Sequence, residues 1–120
     1  MSGPGIETVA FRMTMNPGQA DEYRRRHDEI WPELSGALIA AGVLDYRIFL
    51  DPVSDALFAV LTRRVDHTLA DLPRTQIMQD WWAMMSDIMK TGPDNVPVQV
   101  DLQPVFHLSG TDKRGDQTGP

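Results

Sequence analysis

Residues Ala56 to Leu61 (ALFAVL) are apolar at every position. A strand sends alternate side chains to opposite faces of its sheet, so a run of this kind needs cover on both faces. The chain has 120 residues, enough for one domain and one modest core. A single layer of helices covers one face of a sheet. The other face needs different cover, and a second copy of the chain is the simplest candidate.

The flanking segments say what kind of sheet this is. Val9, Phe11, Met13 and Met15 alternate with Ala10, Arg12 and Thr14, which reads as a strand with one apolar face. Asn16-Pro17 reads as the N-cap and first residue of a helix running to about Ala41, with Gly42 closing it. Pro32 lies inside that stretch and cannot donate to the carbonyl of Asp28, so a bend or break is expected there. Tyr23, His27, Ile30, Trp31, Leu34, Leu38 and Ala41 share one helical face, while Arg24, Arg25, Asp28 and Glu29 fall largely on the other. Leu44, Tyr46, Ile48 and Leu50 alternate along a second strand. Asp51 to Asp55 (DPVSD) makes the turn into the apolar strand. A second helical stretch is expected from about His67 to Lys90, interrupted at Pro73, with Ile77, Trp81, Met84 or Met85, and Ile88 as its stripe. Thr91 to Pro97 is a loop. Val98, Val100, Leu102, Phe106 and Leu108 form a last strand, placed at an edge or bulge by Pro104.

The order is β-α-β-β-α-β, which is the ferredoxin-like arrangement of the α+β class: an antiparallel sheet with helices on one face. We expect a single domain over residues 6–108. A short Gly/Pro-rich start (1–5) and a polar tail (109–120) are expected to be flexible.

Composition excludes several functions. The formal net charge is −6, against the basic surface that phosphate-backbone binding and anionic membranes require. There is no cysteine, so disulfide frameworks, thiolate catalysis and Cys-ligated metal are out. The first residues lack a basic start and a long apolar run, and no stretch resembles a membrane span. We therefore expect a cytoplasmic protein with no nucleic-acid or membrane partner. No HxxxH, HxxE or carboxylate cluster has metal-ligand spacing, so no metal is expected, and no phosphate loop or nucleophile elbow is present.

Three features could carry chemistry. Tyr23 and His27 are four apart on one helix and are therefore neighbours on its apolar side. Histidine titrates near neutrality, yet a histidine there is also consistent with an ordinary core or rim residue. Tyr46 has the parity of Leu44 and Ile48 and so faces the helices, either as a core tyrosine or as a third polar tip converging on a pocket. Trp81 and Trp82 are adjacent and point about 100° apart on a helix, so they cannot share one slot. One belongs in the core; the other lines an interface or forms a flat wall suited to the C–H face of a sugar ring. His67 and His107 carry weaker signals. Asp94-Asn95 could meet a sugar hydroxyl or simply make their turn.

Asn16-Pro17, Tyr23-Arg24-Arg25-Arg26-His27, Ile30-Trp31-Pro32-Glu33-Leu34, Asp80-Trp81-Trp82 and Pro93-Asp94-Asn95, in this order and spacing, resemble the L-rhamnose mutarotase family over about Ile6 to Leu108. The resemblance implies a dimeric ferredoxin-like fold, a dimeric α/β barrel joined through the sheet face. It also implies cofactor-free interconversion of the α and β anomers of a free sugar, L-rhamnose. It matches His27 to the family's proton-donating histidine, Tyr23 and Tyr46 to its sugar-contacting tyrosines, and Trp81 and Trp82 to its Trp pair. On this reading His27 protonates the ring oxygen on opening and recovers the proton on closing. Met84 stands where an aromatic residue is expected, which bears on the pocket wall. The same dimeric fold also hosts small oxygenases, haem-dependent or cofactor-free, and small-molecule-binding modules, which are the alternative functions.

Overall fold

The computed structural model describes residues 5–110 of the chain. Strand β3 (Ala56–Arg64) lies between β2 (Val43–Asp51) and β1 (Ile6–Thr14), and the short β4 (Val100–Leu102) pairs with the far side of β1. The order is β2-β3-β1-β4 and every pairing is antiparallel. This is the expected ferredoxin-like α+β topology.

The register sorts the apolar run of β3 by parity. Leu57, Ala59 and Leu61 stand opposite Met13, Phe11 and Val9 on one side, and opposite Leu50, Ile48 and Tyr46 on the other. All three are buried beneath the helices. Phe58 and Val60 take the opposite face, level with Phe49 on β2, Ala10 on β1, and Val100 and Leu102 on β4. Phe49, Phe58, Val100 and Leu102 remain exposed, so this face is bare within one chain.

On the covered face sit α1 (Ala20–Asp28), α2 (Pro32–Ala40), a 3-10 turn (Leu69–Arg74) and α3 (Gln76–Met85). Pro32 breaks the long helical stretch as expected: it is the first residue of α2, behind an extended Trp31. The start of α1 differs from expectation. Gly18 adopts φ +79°, which no helix accepts, and the helix begins only at Ala20. Asn16 does not cap it. Its backbone N–H donates to the Ile88 carbonyl at 2.8 Å and its side-chain Nδ2 to the Asp87 carbonyl at 3.1 Å. Gly42 is left-handed at φ +121°, and a Cβ there would lie 2.8 Å from the Cβ of His67, so glycine is needed both for conformation and for this close crossing.

Three further expectations are corrected. The second helical stretch ends at Met85 rather than near Lys90. Ile88 and Met89 are buried, but in a segment that folds back onto β1, with Met89 bridging Met15 and the Lys90 N–H donating to the Thr14 carbonyl at 2.9 Å. Leu44 does not share the face of Tyr46. A bulge between Val43 and Asp45 gives Val43 the buried position and leaves Leu44 exposed. The last strand stops at Leu102, and Phe106 and Leu108, beyond Pro104, are exposed on a segment without regular structure. The edge position inferred from Pro104 holds for β4. The ends expected to be flexible, 1–5 and 109–120, lie almost wholly outside the described residues.

The core lies between helices and sheet. Its largest fully buried side chains are Met15, Leu34, Leu57 and Met85. Among the described residues no helix is long and apolar enough to cross a membrane.

Candidate functional site

A cavity of about 790 Å³ opens between α1, α2, α3 and the sheet. Tyr23, His27, Tyr46, Trp81 and Trp82 all line it. The structure thus brings together, from three elements, the five residues singled out in the sequence. Met84 does not line it: its side chain borders a separate shallow depression with Trp31 and Glu29, so it does not form the pocket wall. Asp94 and Asn95 are exposed in a tight turn with positive φ and lie outside the cavity lining. His67 Nδ1 accepts the Leu69 N–H at 3.1 Å and so shapes the chain after β3. His107 is exposed beyond β4.

His27 occupies the last turn of α1. Its Nδ1 lies 3.1 Å from the Tyr23 carbonyl. A carbonyl only accepts, so Nδ1 carries the hydrogen and Nε2 of the neutral ring holds a lone pair. The imidazole stacks on the Tyr23 ring with centroids 4.3 Å apart, and the Trp81 ring meets it edge-on at 5.4 Å. Trp81 in turn meets Trp31 edge-on at 5.1 Å. Aromatic packing therefore holds the ring on two sides. Burial lowers the pKa of His27 below the ordinary 6.5, against weaker opposing effects of the Tyr23 carbonyl and Asp28.

The remaining polar tips are unspent. Among the described residues, Tyr23 Oη, Tyr46 Oη, His27 Nε2 and the indole N–H groups of Trp81 and Trp82 make no hydrogen bond within the protein. Among the described residues no buried side-chain nitrogen or oxygen lacks a partner, so the tips of the buried Tyr23 and Trp81 reach the space of the cavity. Burial raises the Tyr46 hydroxyl to about 12. Burial also raises that of Tyr23, with a smaller upward contribution from Tyr46. Both stay protonated near neutrality and can donate as well as accept. Trp81 is buried, while Trp82 is half-buried with its ring available as a wall.

The sequence reading missed several lining residues. Arg24 and Asp28, assigned to the outer side of the helix, border the cavity with Asp21. The reason is that α1 stands away from its neighbours. No Cα of α1 comes within 8 Å of a Cα in another helix or strand. A helix held at that distance turns its flank, as well as its apolar face, toward the space beneath it. Gln99, next to β4, also borders the cavity. Only the three-dimensional pairing of β4 with β1 brings it there. Among the described residues no group of three or more His, Asp or Glu side chains is placed to hold a metal ion.

A family model described as L-rhamnose mutarotase matches residues 8–108. An L-rhamnose mutarotase of Paraburkholderia phytofirmans is 60% identical over 104 residues, covering 87% of this chain and 97% of that protein. The crystal structure of an L-rhamnose mutarotase from Formosa agariphila superposes with a TM-score of 0.79 at 41% identity, covering 86% of this chain and 99% of that one. A putative antibiotic biosynthesis monooxygenase from Chloroflexus aurantiacus superposes with a TM-score of 0.53 at 18% identity, covering 88% and 98%, and shares the fold alone. With the matched region enclosing the whole cavity and all five site residues, the chain belongs to the L-rhamnose mutarotase family.

Proposed function

We propose that this protein interconverts the α and β anomers of free L-rhamnose, with His27 as the group that carries the proton. The observation that supports this most is the fixed tautomer of His27. Its Nδ1–H is spent on the Tyr23 carbonyl, and its Nε2 lone pair is unpartnered at the cavity. Anomer exchange requires the anomeric hydroxyl to lose a proton and the ring oxygen to gain one. These two oxygens share one carbon, so a single nitrogen can serve both.

Neutral His27 takes the anomeric proton at Nε2. The bond from the anomeric carbon to the ring oxygen then breaks as the carbonyl forms. The imidazolium delivers its proton to the departing ring oxygen. After rotation about the bond to the next carbon, the hydroxyl attacks the other carbonyl face. Nε2 takes back the hydroxyl's proton and returns it to the new anomeric oxygen. Atoms and charge balance, and His27 ends as it began. Its role as donor to the ring oxygen, expected by resemblance, is retained as the second half of this exchange. General acid–base help of this kind contributes about 10²–10⁴-fold. Tyr23 and Tyr46 orient the neighbouring sugar hydroxyls, Trp82 offers a flat wall to the ring, and Trp81 buttresses His27. The apolar lining supplied by Met78, Met89 and Leu38 suits the methyl group of a 6-deoxy sugar.

The bare sheet face carries Phe49, Phe58, Val60, Val100 and Leu102, an apolar stripe across strands β2 to β4. A monomer gains nothing from such a surface, and we assign it to a homodimer formed through the sheet face. The working unit is residues 6–108, and its place is the cytoplasm. Saturation-transfer NMR on L-rhamnose and L-fucose tests the activity: exchange between the anomers rises above background with the wild-type protein and falls with a folded His27→Asn variant. Exchange that is unchanged in that variant would remove His27 from its role.

A further inference from the structure

The chain places three consecutive arginines ahead of His27, and the structure uses them differently. Arg24 borders the cavity. Arg25 pairs with Glu22 of α1 at 2.6 Å and with Glu29, which closes α1, at 3.1 Å, and its side chain is more than half exposed. Arg26 is 15% exposed and leaves the helix. Its Nε donates to Glu22 at 2.7 Å, its Nη1 to the Met84 carbonyl at 2.8 Å and to Asp87 Oδ1 at 2.7 Å, and its Nη2 to Asp87 Oδ2 at 3.2 Å.

We propose that Arg26 is a positioning residue for the site, locking α1 to the C-terminal end of α3 so that His27 and Trp81 meet at their working distance. The inference rests on the role given to His27 above. Because no Cα of α1 lies within 8 Å of a Cα in another helix or strand, side chains carry much of what sets its place over the cavity. Tyr23 and His27 contribute apolar and ring contacts, which tolerate sliding. Arg26 contributes a fork of directional, charge-assisted bonds, which do not. The partner atoms lie in the right part of α3. The Met84 carbonyl belongs to the last turn, where a helix leaves acceptors without an intrahelical donor and where a cation is favoured. Trp81 lies three residues earlier, about one turn away on the same side of α3. The Arg26 tie and the His27–Trp81 contact are therefore two links between the same helices, from adjacent residues of α1 to positions about one turn apart on α3.

Glu22 completes the device. It is held as a carboxylate, down to about 2, first by Arg25 and then by Arg26. It steadies the guanidinium from within α1, while Asp87 grips it from the far side. A lysine carries the charge but cannot form the fork.

The test compares Arg26→Gln, Arg26→Lys, Asp87→Asn and the control Arg25→Gln. Each is measured for kcat and KM in anomer exchange on L-rhamnose, and for the ring resonances of His27, assigned by their loss in His27→Asn. Those resonances carry the ring-current shifts of Tyr23 and Trp81. We expect Arg26→Gln to lower kcat by about 10²-fold, as a misplacement on the order of 1 Å does, with a smaller rise in KM. The His27 resonances move toward the positions of free histidine. Arg26→Lys recovers part of both effects, Asp87→Asn shifts both in the same direction as Arg26→Gln, and Arg25→Gln, which loosens Glu22 but leaves the bonds to Met84 and Asp87, shifts both least. Unmoved resonances and unchanged kcat in Arg26→Lys and Asp87→Asn would overturn the proposal, including if Arg26→Gln fails to fold. If wild-type protein left exchange at background, the mutarotase reading would fall, and the resonances would still decide whether Arg26 places His27.

Discussion

Helices α1 and α2 come from one stretch of sequence divided at Pro32, and they do opposite work. α2 buries Leu34 to 1% exposure and packs closely against β2, α3 and the turn before α3. It is a packing helix. α1 carries charges along most of its length, buries only Tyr23, and bridges open space on its side chains. The comparison shows how a small domain divides its labour: the half that packs supplies stability, and the half that stands off leaves room for a ligand beneath it. A break in the chain at Pro32 permits this, because a continuous helix would press both halves to the same depth.

If that division holds, substitutions in the two helices separate activity from stability. The largest expected effect is on α1. His27→Asn lowers anomer exchange by about 10²–10⁴-fold while leaving the urea midpoint close to wild type. Equal loss of stability would show that α1 is also a packing helix. Next comes Leu34→Ala on α2, expected to cost about 2–5 kcal/mol by urea unfolding. Under conditions where the variant is folded, its exchange rate should fall far less than that of His27→Asn, because Leu34 borders the cavity but has no proton to move. A smaller effect is expected from Tyr23→Phe, which keeps the stacked ring and removes the hydroxyl. A lost hydrogen bond worth about 0.5–1.5 kcal/mol corresponds to roughly a 2- to 12-fold fall in kcat/KM.

The smallest effect concerns pH. The folded pKa of His27 is depressed below 6.5, so the neutral base persists to lower pH than a free histidine would allow, and the acid limb of kcat/KM should fall below pH 6.5. The same shift makes a stability statement. The unfolded chain takes up this proton first as pH falls, so the His27 contribution is intact above about 6.5 and is lost as pH falls through the folded value. Urea midpoints of wild type and His27→Asn, close to each other above that window, should separate below it, with wild type losing more stability. His67 and His107 are common to both proteins and cancel in the difference.

The strands were readable because alternation and register obey the same period of two. Val9, Phe11 and Met13 faced the core as their spacing required, and the DPVSD turn closed through Asp51 as its residues indicate. The errors fell where local geometry departs from a regular period. The bulge at Val43 turned Leu44 outward, Gly18 delayed α1, and the fold-back of Met89 onto Met15 ended α3 early. Each depends on a partner strand or a backbone angle that residue spacing does not encode.

The five site residues show the same boundary. Their identities and the faces they occupy follow from helical and strand periodicity. Sequence also determined the topology, because hydrophobic period and turn chemistry choose a strand or a helix locally. Tertiary structure alone decided that Trp81 braces the His27 ring and that Arg26 reaches Asp87, which lies 61 positions along the chain. Those facts depend on how far α1 stands from α3. That distance is set by packing between elements remote in sequence, and no local pattern carries it.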